Sequence, residues 1–458
     1  MAKSNQHDVN MLSGNLIKNI LIVALPISAS AILQQLFNSA DTAIVGRFAG
    51  SESLAAVGGN GFVISLMVSL FTGMAVGANV VMSNRIGRGD EEGISKTLHT
   101  TILFAAISGI VMSGIGLSMA DIIHSWMGTG EEGSFLRQEA VSYFRVYFCG
   151  IPFILLYNFE SALFRSKGDT RRPLIVLMIA GVLNVGLNIL FVAGFGMTAA
   201  GVALATSISN AFSALTLMYF LVKEPGPFQL KASKLKMDKA TVADIVRIGI
   251  PAGIQSSMFG LANVIMQSTV NSLGSTVIAG TTVGVNAEFF AFFTVNGFSQ
   301  ACTSFVGQNY GARNLQRCKK STLTTLALGT VFCMGMSILF VILRYPIAYI
   351  FTGEAAVAEL AAMRFIRVGL FQPINGISDM LSGSMRGMRK SLVPALITVI
   401  AICGVRLLWI FVIYPMNKTY EFLIVAYPAS WVVCTTCMVT AYIIVMRRLK
   451  RKGIPDGR

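Results

Sequence analysis

A single aspartate set in a long apolar segment is the first place where chemistry could occur. Asp41 follows Leu36-Phe37-Asn38-Ser39-Ala40 and precedes Thr42-Ala43-Ile44-Val45-Gly46. An acid at membrane depth is costly and is therefore a functional candidate by default. Burial disfavours its charged form, and a nearby cation favours it. A proton, a metal cation and a cationic guest would then compete for one carboxylate, which is sufficient for exchange of one against another. The alternative is an interfacial Asp beside Arg47 at a helix end. Asn184 and Asn188 lie at i and i+4, on one helix face. An amide in hydrocarbon needs a partner, so this pair either joins helices or serves a ligand. Thr206 either belongs with them or bonds its own backbone carbonyl.

Other polar groups at membrane depth are fewer. Glu288 and Arg406 are candidates for substrate binding: Glu288 either binds a cationic substrate or a second proton, or forms an ion pair, with Arg406 as the expected partner. Gln34, Gln35 and Asn38 give the first apolar segment a polar face that suits a substrate cleft. Met258 and Met266 are adaptable apolar candidates for the same cleft. Glu160 and Asp379 fall near helix ends and are expected to pair with loop Lys and Arg, as a closed gate or as a solvated rim.

The elements that must hold these residues are apolar helices. The chain has 458 residues, 54% hydrophobic and only 12% charged, against roughly 25% charged in a soluble globular protein. Repeated apolar segments of about 20 residues or more are each long enough to cross a hydrocarbon core. Helices are expected at 16–46, 54–82, 98–119, 139–163, 173–195, 199–222, 246–271, 282–306, 321–343, 357–384, 391–414 and 422–446. Twelve crossings place both ends on one side. Arg47, Arg137, Arg344 and Lys418 fall on the opposite side and Arg145, Arg364, Arg367 and Arg406 within helices; the rest of the 36 basic residues share the side of the termini. By the positive-inside rule that side is cytoplasmic. The net charge of +15 is thus topology, with a contribution from anionic lipid headgroups, and not a nucleic-acid footprint. The first apolar segment is too long for a cleavable signal peptide.

The two halves resemble each other. Pro26 and Asn38 correspond to Pro251 and Asn263, Asn84-Arg85-Ile86-Gly87 to Gln308-Asn309-Tyr310-Gly311, and Pro152, Arg165 and Pro173 to Pro373, Arg386 and Pro394. The expected architecture is an all-α polytopic membrane protein of about 12 transmembrane helices. Two six-helix parallel repeats would be related by a pseudo-two-fold axis along the membrane normal. This gives an N-terminal lobe at 1–222, a cytoplasmic linker at 223–244 containing Pro225-Gly226-Pro227, a C-terminal lobe at 245–446 and a basic tail at 447–458. Rocking of the lobes would expose a cleft to each side in turn.

No GxxxxGK[ST] phosphate loop is present and every connecting loop is too short for an ATPase domain. Transport would therefore draw on an ion gradient, a membrane potential or the substrate's own gradient. A membrane enzyme is the weakest class. The three histidines, His7, His99 and His124, lie outside the expected membrane core or at its edge, and no Ser/His/Asp arrangement is apparent. Cys434 and Cys437 form a CxxC inside a membrane helix without His or acidic neighbours, which reads as packing.

In combination, several motifs resemble one family across essentially the whole chain. They are Leu25-Pro26 with Asp41-Thr42 and Val45-Gly46, Leu54-Ala55-Ala56-Val57-Gly58, Arg165-Ser166-Lys167-Gly168-Asp169-Thr170-Arg171-Arg172-Pro173-Leu174, and Val306-Gly307-Gln308-Asn309-Tyr310-Gly311-Ala312. The chain is similar to bacterial multidrug and toxic compound extrusion (MATE) transporters. The resemblance implies a monomeric inner-membrane protein that exports cationic or amphiphilic organic compounds in exchange for H⁺ or Na⁺, with no bound cofactor. It also implies a coupling-ion site built from a first-helix Asp, two polar residues one turn apart on the fifth helix and a sixth-helix Thr. Asp41, Asn184, Asn188 and Thr206 stand at those positions, and Na⁺ is the one metal they would hold. Some members carry Asp where this chain has Asn188. Some also carry an acid early in the seventh helix, where Gln255-Ser256-Ser257-Met258-Phe259 has none. The runner-up is a flippase for a lipid-linked oligosaccharide from the same broad superfamily.

Overall fold

The computed structural model describes residues 8–131 and 133–451. The chain is all-helical, as its apolar periodicity and length of segments require. The first six long helices are α1 (Leu16–Phe48), α2 (Gly50–Arg88), α3 (Glu91–Trp126), α4 (Phe135–Lys167), α5 (Arg171–Asn188, prolonged by a π-helical turn Ile189–Gly194) and α6 (Ala199–Lys223). After the linker come α7 (Lys239–Asn271), α8 (Ser275–Gly311), α9 (Leu315–Ile342), the short α10 (Arg344–Phe351), α11 (Ala355–Arg367) and α12 (Gln372–Gly387). The last helical stretches are α13 (Leu392–Thr398), α14 (Val405–Leu408), α15 (Tyr420–Ile424) and α16 (Ala426–Arg451).

Eleven helical stretches among the described residues are long and apolar enough to cross a membrane. The protein is a multi-pass membrane protein. The expected tenth crossing is the exception, because it is interrupted by a 3-10 turn at Gly369–Phe371 between α11 and α12. Gln372, Asn375, Ser378, Ser382 and Ser384 make α12 too polar to face lipid, and all five are buried. The eleventh crossing is irregular too. π-helical turns at Val399–Gly404 and Trp409–Ile413 flank α14. The chain termini, and with them their expected cytoplasmic placement, lie outside the described residues.

Two compact units emerge, one built on Leu33–Ile250 and the other on Val9–Ile32 with the chain from Pro251 onward. They differ from a simple cut at the linker. Helices α1 and α7 each begin in one unit and end in the other, and each contains a proline, Pro26 and Pro251, that removes one donor from its helical ladder.

In the first unit the start of α7 lies directly on α2. A Cβ on Gly249 would come within 2.4 Å of the Met74 Cα, and one on Gly77 within 2.4 Å of the Ile245 carbonyl oxygen. In the second unit the start of α1 lies on α8 in the same manner. There Gly297 faces Ser28, and the Ser28 hydroxyl donates to the Thr294 carbonyl at 3.0 Å. Small residues let helix backbones approach where lipid supplies no hydrophobic drive. We therefore expect Gly249→Val to cost about 3 kcal/mol or more, since backbone and not a flexible side chain must yield. Gly260→Ala in the same helix, where a Cβ meets nothing within 4 Å, should be neutral. Thermal melting of the two purified variants in detergent checks this, and equal midpoints would refute the close-contact reading.

The linker packs on the first unit. His99 Nε2 accepts from the Lys231 backbone N–H at 3.0 Å, and Thr100 Oγ1 accepts from the Asp238 N–H at 3.1 Å. Lys167 reaches Asp8 at 3.2 Å and Glu224 at 3.0 Å, while Arg172 pairs with Asp169 at 3.2 Å and with Glu224. Burial pushes the Glu224 carboxyl up, but Lys167 and Arg172 outweigh it and hold it below the usual carboxylate range.

Candidate functional site

Helices α1, α2, α4, α5 and α6 line a cavity of about 330 Å³ in the first unit. Its wall carries Gln34, Asn38 and Asp41 from α1, Tyr147 and Asn158 from α4, Asn184 from α5 and Thr206 and Asn210 from α6. The long α1 presents Gln34, Asn38 and Asp41 on one side, as the i, i+4, i+7 spacing demands. Helix α5 comes close enough because Gly181 has no side chain. A Cβ there would fall 1.8 Å from the Phe37 ring.

Asp41, Asn184, Asn188 and Thr206 meet in a closed ring. Asn188 Nδ2 donates to Asp41 Oδ1 at 2.5 Å and to Asn184 Oδ1 at 3.3 Å. Asn184 Nδ2 donates to Thr206 Oγ1 at 3.4 Å, and Thr206 Oγ1 donates to Asp41 Oδ2 at 3.5 Å. Asn188 is fully buried, and its Oδ1 accepts no hydrogen bond from the described residues. The ring thus combines one carboxylate with amide and hydroxyl oxygens, a hard donor set of the kind that suits protons and hard cations. Among the described residues no group of three or more His, Cys, Asp and Glu could hold a metal ion. Asp41 faces the cavity and is hydrogen-bonded to Asn188 and Thr206. Gln34 and Asn38 line the same cavity, whereas Gln35 is not among its lining residues. Tyr147, Asn158 and Asn210 were not singled out from sequence, since no apolar pattern marks one tyrosine or asparagine of a helix above another.

The second unit departs further from expectation. Glu288 is buried and paired, but its partner is Arg364 and not Arg406. Arg364 Nε and Nη2 each donate to one carboxylate oxygen at 2.9 Å. Arg406 instead donates from Nη1 to Asn263 Oδ1 at 2.6 Å and from Nε to Ser430 Oγ at 3.3 Å. Neither Glu160 nor Asp379 belongs to a solvated rim. Glu160 is fully buried, and neither of its carboxylate oxygens accepts a hydrogen bond from the described residues. Asp379 lines a second, smaller cavity of about 140 Å³ together with Gln255, Asn296, Ser299 and Arg386. Gln255 stands where an acid was missed. It donates to Ser382 at 3.2 Å and to Thr398 at 2.9 Å. Met266 is core, not cleft lining.

The MatE family model matches residues 26–190 and again residues 251–412. The chain belongs to the MatE family. The two matches open at Pro26 and Pro251, the prolines with which the internal repeat begins, so this MatE protein is built from two copies of the family's unit. It is similar to the probable multidrug resistance protein NorM of Thermotoga maritima, with 27% identity over 85% of this chain and 84% of that one. It is also similar to the FAD transporter of Shewanella oneidensis, with 25% identity over 70% of this chain and 72% of that one. The outward-facing structure of a multidrug resistance MATE family transporter superimposes with a TM-score of 0.88 at 21% identity, covering 98% of this chain and all of the other. The protein is a MATE transporter in fold and family.

Proposed function

We propose that this MATE protein is a secondary active antiporter of the inner membrane. It exports cationic or amphiphilic organic compounds in exchange for H⁺ or Na⁺ by alternating access, as a monomer with both termini in the cytoplasm. The observation that carries this reading is the closed ring of Asp41, Asn188, Asn184 and Thr206 on the wall of the first cavity. Charged Asp41 is held by the Asn188 N–H and the Thr206 O–H. A proton on Asp41 removes the charge that attracts an organic cation into the same cavity. Na⁺ would do so by drawing the carboxylate and the Asn184 and Thr206 oxygens toward itself, with the unbonded Asn188 Oδ1 available as a further ligand. Ion and organic cation therefore exclude each other. The NorM relative's name supports efflux of varied compounds. An acid- and amide-lined cavity speaks against the lipid-linked oligosaccharide flippase, whose pyrophosphate needs cationic walls.

The test is transport of an organic cation in proteoliposomes with ΔpH and ΔNa⁺ imposed separately. One of the two gradients should drive accumulation. Accumulation indifferent to both would overturn the antiport reading.

A further inference from the structure

Arg406 is 1% exposed, and a guanidinium stays charged in proteins. Its hydrogen-bond and ring partners among the described residues are neutral: Asn263, Ser430, the Tyr427 ring at 4.5 Å and the Phe259 ring at 5.5 Å. Its Nη2 is buried and donates to no group among the described residues. Glu288 gives both of its oxygens to Arg364, so its single negative charge is shared between two guanidinium groups and hydrogen-bonds only one of them. Arg364 in turn stands 4.8 Å from the same Tyr427 ring, so two guanidinium groups and one carboxylate share this buried cluster. Buried charges are as a rule paired, and here the balance is one positive charge with an N–H still to give.

The location carries a second indication. The helix around Arg406 is π-helical on both sides, at Val399–Gly404 and Trp409–Ile413, and π-turns inside α-helices are frequent at functional sites. The internal repeat supplies a third. The starts of the two family matches, 26 and 251, set Asn38 against Asn263. Asn38 lines the first unit's cavity. Its counterpart in the second unit is the residue to which Arg406 donates. Phe259, which carries Arg406 on its ring, also lines the second cavity.

We infer that Arg406, with Asn263 and Ser430, forms a binding site for a small anionic group in the second unit, the reverse in charge of the Asp41 site in the first. The group is either a free inorganic anion or the carboxylate of an amphoteric substrate. Both would take the Nη2 donor and offset the charge. Carboxylate recognition by a guanidinium is charge-assisted and directional.

The experiment is thermal melting of the full-length protein in detergent at constant pH, Na⁺ and ionic strength, with the bulky sulfonate HEPES replaced stepwise by chloride or by acetate. A saturable rise in the melting midpoint is expected with at least one of them, at millimolar concentration. A response to chloride assigns an inorganic anion, and a response to acetate alone assigns a carboxylate. Arg406→Gln, which keeps a donor for Asn263, should abolish the response. Arg406→Lys, which keeps the charge but not the planar fork, should retain it with a several-fold higher half-saturating concentration, and this variant decides if the first does not fold. A wild-type midpoint indifferent to anion identity, or an unchanged dose response in either variant, would overturn the site.

Discussion

Asp41→Asn is expected to abolish uphill export while leaving the protein folded. The argument is one of linkage. Two ligands that exclude each other at one site share a coupling free energy, typically about 1–3 kcal/mol or 5–150-fold in affinity, and the effect is reciprocal. In the wild type the carboxylate is the only charged member of a ring whose other members are Asn188, Asn184 and Thr206. An amide at position 41 keeps the size and a hydrogen-bonding oxygen for Asn188. It has no charge for a proton or Na⁺ to neutralise. Binding of an organic cation to the purified wild type should therefore weaken 5–150-fold as the coupling ion is raised. In Asp41→Asn the same titration should be flat, with the melting midpoint close to wild type. Asn188→Ala distinguishes ligand from helix glue. It should leave the full range of coupling intact but shift it to higher ion concentration. An Asp41→Asn protein whose substrate affinity still responds to the ion would place coupling elsewhere, with Asp379 the next residue to test.

Much of this site was legible because the signal was sparse. A polar side chain in an apolar helix stands out, and the i, i+4 spacing of Asn184 and Asn188 fixed their common face without any knowledge of neighbouring helices. The repeat was legible for the same reason: prolines inside apolar segments are few enough to align. What could not be read was which helix faces which. Four arginines, Arg145, Arg364, Arg367 and Arg406, fall at membrane depth in the sequence, and helical phase alone cannot choose among them as the partner of Glu288. The choice was further hidden by the π-helical turn Val399–Gly404, which holds one residue more than the regular helix and so turns Arg406 through about 100° relative to an ideal α-helix. Asp379 was misplaced for a related reason. Its distance from the basic residues at the end of α12 suggested a rim, but the break at Gly369–Phe371 lets a polar helix sit inside the unit. Glycines gave no warning either. Gly181 and Gly249 are necessary because of what approaches them, and a sequence does not show that.

The second large effect concerns stability. Glu288→Gln should destabilise the second unit by about 3–5 kcal/mol, the usual cost of stranding one member of a buried ion pair. Arg364 is 1% exposed, and its Nε and Nη2 both depend on the carboxylate for a charged acceptor. Glutamine offers one neutral oxygen and turns its N–H₂ toward a cation, so one donor of Arg364 faces another donor. The neighbourhood makes this worse, because Arg406 lies on the same Tyr427 ring as Arg364 and nothing then balances either charge. Pairwise logic predicts a remedy. Adding Arg364→Met to Glu288→Gln removes the stranded guanidinium and should recover most of the loss, since neutral replacement of a whole buried pair is often tolerated. The melting midpoints of the single and double variants in detergent give the coupling directly. Additive losses would mean that the pair contributes only as two separate packing residues. Recovery of stability in the double variant without recovery of transport would separate a role in the transport cycle from a role in folding.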